Sequence, residues 1–266
     1  MPSPHRWADL ATTDFDGGKL RDAIAVLPVA AVEQHGPHLP LGTDVFIMEG
    51  YLERVHALLD ESLPVLILPV QSIGLSHEHL AFSGTLSLRP ETAIRAWTDI
   101  GEGLHRAGVG KLLFVSSHGG NSPVVDIVAR DLRVRLGLTT ASVSWQRFGY
   151  PDGLFDAAEI RHGIHGGDIE TSLMLAFRPD LVRVDESRNF VSRGAALAQQ
   201  HRHLQVDRPA GLGWMSQDLN PSGAIGNAAN ASREKGEAAA AQGVHGFIQL
   251  LEELRDFAPL AGPAAG

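Results

Sequence analysis

Cysteine is absent from all 266 residues of the chain. Without thiols the protein has no disulfide, no thiolate metal site and no cysteine nucleophile. Three other catalytic or binding motifs are also missing: the G-x-S-x-G elbow, the P-loop, and a G-x-G-x-x-G run after a strand. These absences disfavour a serine hydrolase and the common nucleotide-binding enzymes.

Long apolar runs and an excess of positive charge are missing as well. No window approaches the roughly 18 to 20 apolar residues that a membrane span needs. The N-terminal stretch MPSPHRWADL lacks the apolar core of a signal peptide. The formal net charge of −9 argues against a broad surface for nucleic acid. We therefore expect a cytoplasmic protein without membrane or nucleic-acid partners.

Histidine is the residue type that stands out in an otherwise ordinary soluble composition, 44% hydrophobic and 20% charged. The length allows one α/β domain or two smaller ones. Several of the 13 histidines fall in pairs: His35 and His38, His77 and His79, His162 and His165, His201 and His203. A lone histidine is more often an ordinary surface or core residue than a ligand, so pairing alone does not establish a site.

Four short apolar runs predict buried strands, at residues 23–32, 63–70, 111–117 and 139–145. Other stretches repeat apolar residues at helical spacing. They predict three helices, containing Ala93, Trp97, Ile100 and Leu104; Val124, Val128 and Leu132; and Val244, Phe247, Leu251 and Leu254. The alternation of strands and helices predicts an α/β fold, with a mostly parallel sheet and helices on both faces.

The chain shows no internal repeat and no convincing linker, so residues 1–266 are predicted to form a single domain. Residues 196–222 are irregular and contain Pro209, Gly211, Gly213 and Pro221. We expect an irregular excursion there, which forms either a cover over an active site or a subunit contact. The small-residue tail at residues 258–266 is expected to be flexible.

A polar cluster follows each predicted strand. The first strand leads into VEQHGPHLPLGTD, the second into QSIGLSHEH, the third into SSHGGNSP, and the fourth, after a longer loop, into HGIHGGDIETS. In open α/β sheets, sites form outside the carboxyl ends of the strands. Four separate segments would therefore bring histidines and carboxylates to one edge of the sheet.

These residue types suit a divalent metal, because histidine nitrogen and carboxylate oxygen bind zinc, manganese and iron. A two-metal site needs about five protein ligands and leaves open positions for water. Five residues would supply them: Glu33, His35, Asp44, His118 and Glu170. Glu33 and His35 are two positions apart, so in an extended segment they point to the same side.

Each segment also allows a simpler interpretation. HGGN fits a helix entry with Asn121 as the N-cap, or a phosphate cradle at that helix N-terminus. DIETS fits a helix start capped by Asp168. The metal interpretation is favoured because the segments occur together, at successive strand ends.

The chain resembles the creatininase (creatinine amidohydrolase) family. The resemblance runs through most of the length, in LPVAAVEQHGPHLPLGTD, GLSHEHLAFSGTLSL, LLFVSSHGGNSPVV, HGGDIETSLMLAFRPDLV and SGAIGNAANASREKGE. It implies a three-layer α/β/α sandwich, a binuclear centre of zinc, manganese or iron, and hydrolysis of C–N bonds. It also implies a homo-oligomer, commonly a hexamer.

The same resemblance assigns roles to the metal-binding candidates. Glu33 and His35 would each bind one metal, Asp44 would bridge both, and His118 would be a further ligand. Creatinine-cleaving members carry a glutamate ligand where this chain has Gly120.

Another carboxylate must therefore complete the site, and we expect this ligand, with a catalytic role, to be Glu170. His165 matches a motif histidine near the metal-bound water and is expected to act as the general acid and base. The alternative is that His165 only orients Glu170 by a hydrogen bond.

Six further residues are expected to contact the substrate or brace the ligands: His38, Glu78, His79, Asn121, Gln146 and His162. Gln146 and His162 stand where creatinine-cleaving members have pocket tryptophans, which disfavours creatinine itself. We expect a small, cyclic amide as the substrate, attacked by a metal-activated water. The alternatives are a metallopeptidase of the mycofactocin-maturation type, a formamide hydrolase, and a non-catalytic protein that binds a metal or ligand.

Overall fold

The structure is a computed structural model that describes residues 5–18 and 20–258. The tail predicted to be flexible lies outside the described residues except for residue 258. Among the described residues, no helix is long and apolar enough to cross a membrane.

The helices of the described chain are α1 (Thr43–Leu58), α2 (Pro90–Arg106), α3 (Ser122–Leu136), α4 (Ala157–His162), α5 (Asp168–Phe177), α6 (Arg193–Gln200), α7 (Ser216–Leu219) and α8 (Arg233–Asp256). The strands are β1 (Ile24–Val29), β2 (Val65–Ile67), β3 (Lys111–Ser116), β4 (Thr139–Ser144), β5 (Asn189–Phe190), β6 (Leu204–Gln205), β7 (Ala210–Gly211) and β8 (Gly226–Asn227).

Strands β1 to β4 form one parallel sheet in the order β2-β1-β3-β4. The central pair runs in register from Ile24 opposite Lys111 to Val29 opposite Ser116. From β1 the chain first moves to one side, to β2, and then to the other, to β3 and β4. Ligand sites in such sheets form at this switch point, outside the carboxyl ends of the two central strands.

Side chains alternate between the two faces of the sheet because successive strand residues point in opposite directions. Ile24 and Val26 belong to the core that α1, α5 and α8 cover, whereas Ala25 and Leu27 belong to the core under α2 and α3. Both faces of β1 are fully buried. The result is a three-layer α/β/α sandwich, which confirms the predicted fold class.

All four predicted strands are confirmed, although each is shorter than its apolar run. The three predicted helices correspond to α2, α3 and α8. Helix α1 was not predicted, yet its buried residues Ile47, Tyr51 and Val55 have helical spacing. The segment at 196–222 contains the end of α6, β6, β7 and α7, so it is partly regular.

The two interpretations that placed caps at helix starts are wrong in detail. Asn121 occupies the N-cap position of α3, but its side chain makes no capping hydrogen bond. Instead its Oδ1 accepts from the Leu75 N–H at 2.9 Å and its Nδ2 donates to the Ala30 carbonyl at 3.1 Å. Asp168 is the first residue of α5, and the N-cap is Gly167.

Helices α2 and α3 approach each other closely at Gly101. A Cβ atom at this position would overlap the side chain of Leu132, which is fully buried on α3. Gly103 lies on the same helix, and there the nearest atom to a Cβ would be the flexible end of Arg106, at 3.7 Å.

We predict opposite effects for alanine at these two glycines. Gly101→Ala should lower the free energy of unfolding by about 1–3 kcal/mol, because the packed core has no room for the methyl group. Gly103→Ala should raise it by about 0.5–1 kcal/mol, because alanine loses less backbone entropy in a helix. Urea unfolding of both variants measures the difference, and equal effects would contradict the packing at Gly101.

Candidate metal centre

The chain brings the predicted metal ligands together at the switch point of the sheet. They come from the loop after β1, the first turn of α1, the loop after β3 and the first turn of α5. Four of them are at least 95% buried: Glu33, His35, Asp44 and His118. Glu170 is partly open, with 23% of its side chain exposed.

Glu33 lies at the middle of this cluster. Its Oε1 is 3.2 Å from Nδ1 of His118, 3.3 Å from Nε2 of His79 and 3.6 Å from Nδ1 of His165. The ring of His165 is sandwiched between His79 and His35, at centroid distances of 4.0 and 4.1 Å. Three predicted segments therefore meet on one carboxylate oxygen.

Asp44 connects two of the histidines. Its Oδ1 is 3.6 Å from Nε2 of His35 and its Oδ2 is 3.5 Å from Nδ1 of His118. On the other side of His35, the same Nε2 is 3.8 Å from Oε2 of Glu170. Asp44 thus lies between the half of the cluster that contains His118 and the half that contains Glu170.

Several buried atoms at this point have no hydrogen-bond partner: both carboxylate oxygens of Glu33, Oδ2 of Asp44 and Nε2 of His35. Buried polar atoms are normally satisfied, so a group of unpaired ones calls for an explanation. A divalent cation would satisfy all of them. Among the described residues, Glu33, His35 and Asp44 form one group close enough to share an ion, and His35, His165 and Glu170 form another.

Backbone carbonyls fix the orientation of three rings. Nδ1 of His35 donates to the Glu33 carbonyl at 3.1 Å, and Nε2 of His118 donates to the Leu75 carbonyl at 2.8 Å. Nε2 of His165 donates to the Gln34 carbonyl at 2.5 Å. A carbonyl only accepts, so the outer nitrogen of each ring carries a proton, and the inner nitrogen faces the carboxylates as a ligand would.

The charged groups of the cluster shift one another's pKa values. Burial would raise the pKa of Glu33, but the facing histidines, above all His118, lower it well below its usual range. Burial would lower the pKa of His35 and of His118, yet the nearby carboxylates raise these values to about 9 and about 10. Positive charge is therefore favoured at the centre of the cluster, as a cation-binding site requires.

Gln34 organises the cluster from behind, and the sequence analysis did not single it out. Its Oε1 accepts from the Gly36 N–H at 2.9 Å, and its Nε2 donates to the Gly223 carbonyl at 3.1 Å and to Nδ1 of His79 at 2.7 Å. The last bond leaves the proton of neutral His79 on Nε2, which faces Glu33. Burial lowers the pKa of His79 to about 4, so the ring stays neutral. The sequence signal for this role was the position of Gln34 between Glu33 and His35, because in an extended segment its side chain points away from theirs.

Gly120 is enclosed by the residues around it. A Cβ at this position would lie 2.5 Å from Oε1 of Glu78 and 2.7 Å from the Leu75 carbonyl, so no larger residue fits here without a shift. Glu78 occupies that space instead, with Oε1 3.5 Å from Nε2 of His118. Glu78 therefore faces the outer nitrogen of His118, away from the cluster.

The other predicted residues take different places. His38 is buried, and its Nε2 donates to Oγ1 of Thr171 on α5 at 2.9 Å, so it braces that helix. Asn121 ties the ends of two loops, as described above. Gln146 lines the cavity next to the cluster, whereas His162 lines a neighbouring cavity.

A cavity of about 290 Å³ opens beside the cluster. His165 and Glu170 form part of its wall, together with a mostly apolar and aromatic surface. The residues that complete this wall include Ile47, Tyr51, Ser117, Trp145, Gln146, Tyr150, Glu159 and Leu173.

The chain matches one family model and is similar to several known proteins. The family model described as creatininase, creatinine amidohydrolase, matches residues 8–251. The chain is 32% identical to the creatinine amidohydrolase of Pseudomonas putida over 254 residues, covering 87% of this chain and 90% of the relative.

Two further proteins show the range of the similarity. The mycofactocin precursor peptide peptidase of Mycobacterium ulcerans (strain Agy99) is 31% identical over 216 residues, covering 79% of this chain and 77% of the relative. A solved manganese creatininase superimposes with a TM-score of 0.72 at 26% identity, covering 93% of this chain and 97% of the other.

We predict that Gln34→Leu destabilises the protein. The Gly36 N–H, the Gly223 carbonyl and Nδ1 of His79 would lose their partner, and each stranded buried group costs about 1–3 kcal/mol. The free energy of unfolding should therefore fall by at least about 2 kcal/mol. Gln71→Leu is the matched control, because the Gln71 side chain bonds only the Pro69 carbonyl at the surface. It should stay within about 0.5 kcal/mol of the wild type.

Proposed function

The chain belongs to the creatininase family of amidohydrolases, and on that premise we propose that it cleaves a C–N bond of a small cyclic amide at a two-metal centre. One observation carries the proposal: buried ligand atoms of Glu33, His35 and Asp44 lack hydrogen-bond partners beside a cavity. Such an arrangement lowers the stability of the fold, because each unpaired buried group loses its hydration. It is explained if the atoms hold cations.

Glu33, His35, Asp44, His118 and Glu170 would hold two divalent ions. Their nitrogen and oxygen donors fit zinc, manganese or iron. Bound ions of this kind supply Lewis acidity for the amide carbonyl and for the attacking water. Asp44 is suited to serve both ions, since its two oxygens face different histidines.

His165 would carry the proton to the leaving nitrogen. Its Nε2–H is held by the Gln34 carbonyl, so Nδ1 is the nitrogen free to take and return a proton. Its ring is held by the flanking rings of His35 and His79 and forms part of the cavity wall. A fixed ring at the wall can reach the substrate nitrogen without a conformational change.

The cavity favours a small substrate. Its volume of about 290 Å³ is at the lower end of ordinary ligand sites. Tyr150 lines the cavity with an aromatic ring, and Gln146 offers an amide that can both donate and accept. A homo-oligomer, commonly a hexamer, and a cytoplasmic location stay predictions, as does one domain over residues 1–266.

We expect Asp44→Asn to lose bound metal and turnover together, because the amide is a weaker ligand and cannot serve two ions. Losing a partner of a ligand typically costs 10–100-fold, so loss of a ligand should cost more than about 100-fold. Metal analysis and a screen of lactams, formamides and short peptides with manganese or zinc check this. Asp99→Asn, at an exposed position on α2, is the control. An Asp44→Asn protein with full metal and full activity would refute the assignment.

A second candidate function, trimming of a short peptide, is favoured by a second cavity. This cavity of about 340 Å³ shares Ile160 and Ile164 with the first and is also lined by Arg161 and Arg208. A substrate extending past the two isoleucines would place its end near these guanidinium groups. The carboxylate of a peptide C-terminus would suit them.

The two candidates differ in how they depend on Arg161. If the substrate is a peptide, Arg161→Ala should raise KM for short peptides several-fold and leave kcat nearly unchanged, because the contact is far from the reacting bond. Hydrolysis of a neutral lactam should not change. Arg95→Ala, exposed on α2, is the control for loss of a surface charge. No peptide hydrolysis by the wild type would exclude the second candidate.

A further inference from the structure

Glu159, on α4, is a buried carboxylate outside the cluster of metal-ligand candidates. It is only 6% exposed and lines the same cavity as His165 and Glu170. Its oxygens accept backbone hydrogen bonds, Oε1 from the N–H of Asp168 at 2.7 Å and Oε2 from the N–H of Asn227 at 2.8 Å. Burying a carboxylate this deeply is unfavourable unless hydrogen bonds replace its hydration, and these two bonds do so.

The two N–H groups belong to segments that lie side by side. Asp168 begins α5, and Asn227 ends β8. The same segments pair through His165 and Ile225, where the His165 N–H donates at 3.1 Å and the Ile225 N–H donates back at 2.6 Å. Glu159 therefore joins the two segments a second time, at Asp168 and Asn227, a few residues beyond the pairing of His165 with Ile225.

Glu159 also supplies what the N-terminus of α5 lacks. The first N–H groups of a helix have no partner within the helix, and an N-cap side chain usually satisfies one. The N-cap residue of α5 is Gly167, which has no side chain. The carboxylate of Glu159 takes this role from another helix.

The surroundings are shaped around this carboxylate. Three glycines border it, and a Cβ at Gly163, Gly167 or Gly226 would overlap the Glu159 side chain. Space for the carboxylate thus depends on small residues in three segments.

The segment at residues 165–170, which Glu159 holds at Asp168, contains His165 and Glu170, and both line the cavity. Within it, the Gly166 N–H donates to Oε2 of Glu170 at 2.5 Å. We propose that Glu159 is a positioning residue that sets where Glu170 and His165 stand, and thereby shapes the half of the metal centre that contains His35 and Glu170, with His165 beside it. This inference rests on the proposed two-metal function. It assigns Glu159 no contact with metal or substrate.

The test uses Co²⁺ as a spectroscopic probe on the full chain. In Glu159→Gln, the side chain keeps its size, but one acceptor becomes an NH₂ donor that faces a backbone N–H. We expect affinity for one Co²⁺ equivalent to fall about 10–100-fold with a changed visible absorption band, while the other equivalent binds as in the wild type. Hydrogen exchange at the Asp168 amide should become faster.

Gly101→Ala is the control for general destabilisation, because it weakens the packing of α2 on α3, away from the cluster. It should leave both Co²⁺ equivalents unchanged. If Glu159→Gln does not fold, Glu159→Asp tests the same point, since the shorter side chain keeps the charge but reaches only one of the two N–H groups.

The outcomes separate the inference from the proposed function. A wild type that binds no Co²⁺ would overturn the proposed function and the inference with it. A wild type that binds two equivalents, with a Glu159 variant matching it in affinity and spectrum, would overturn the inference alone. So would a variant with faster exchange at Asp168 and unchanged Co²⁺ binding, because Glu159 would then only stabilise the fold.

Discussion

The carboxylate of Glu33, fully buried and faced by three histidine rings, is the constraint around which this centre is arranged. An ionised carboxylate removed from water is unfavourable unless opposite charge or hydrogen bonds replace the lost hydration. Here the inner nitrogens of His118, His79 and His165 surround one of its oxygens. Each ring keeps this orientation because its outer nitrogen makes a hydrogen bond to a neighbouring loop.

Backbone carbonyls support the rings of His35, His118 and His165, and the side chain of Gln34 supports that of His79. The carbonyls of Glu33, Leu75 and Gln34 each hold the outer nitrogen of a ring. The three carbonyls belong to the loops that follow β1 and β2, so the backbone of these loops sets the ring orientations. The switch point between β1 and β3 is where the loops can separate enough to admit four segments.

Small residues matter in this site as much as the ligands. Gly120 leaves room for Glu78 behind His118, and Gly163, Gly167 and Gly226 leave room for Glu159 beside the start of α5. In both places a carboxylate from one segment fills space that another segment leaves open. A replacement at such a glycine would displace a charged group.

The sequence by itself determined the strands, three of the helices, the fold class and the set of ligand candidates. These follow from local patterns, since apolar periodicity and residue type are properties of short segments. Only the tertiary structure decided which atom of each ring faces inward, that Gln34 supports His79 and that Glu159 caps α5. Those features depend on contacts between residues far apart in the chain, and no local pattern encodes the distance between Glu159 and Asn227 or between Gln34 and Gly223.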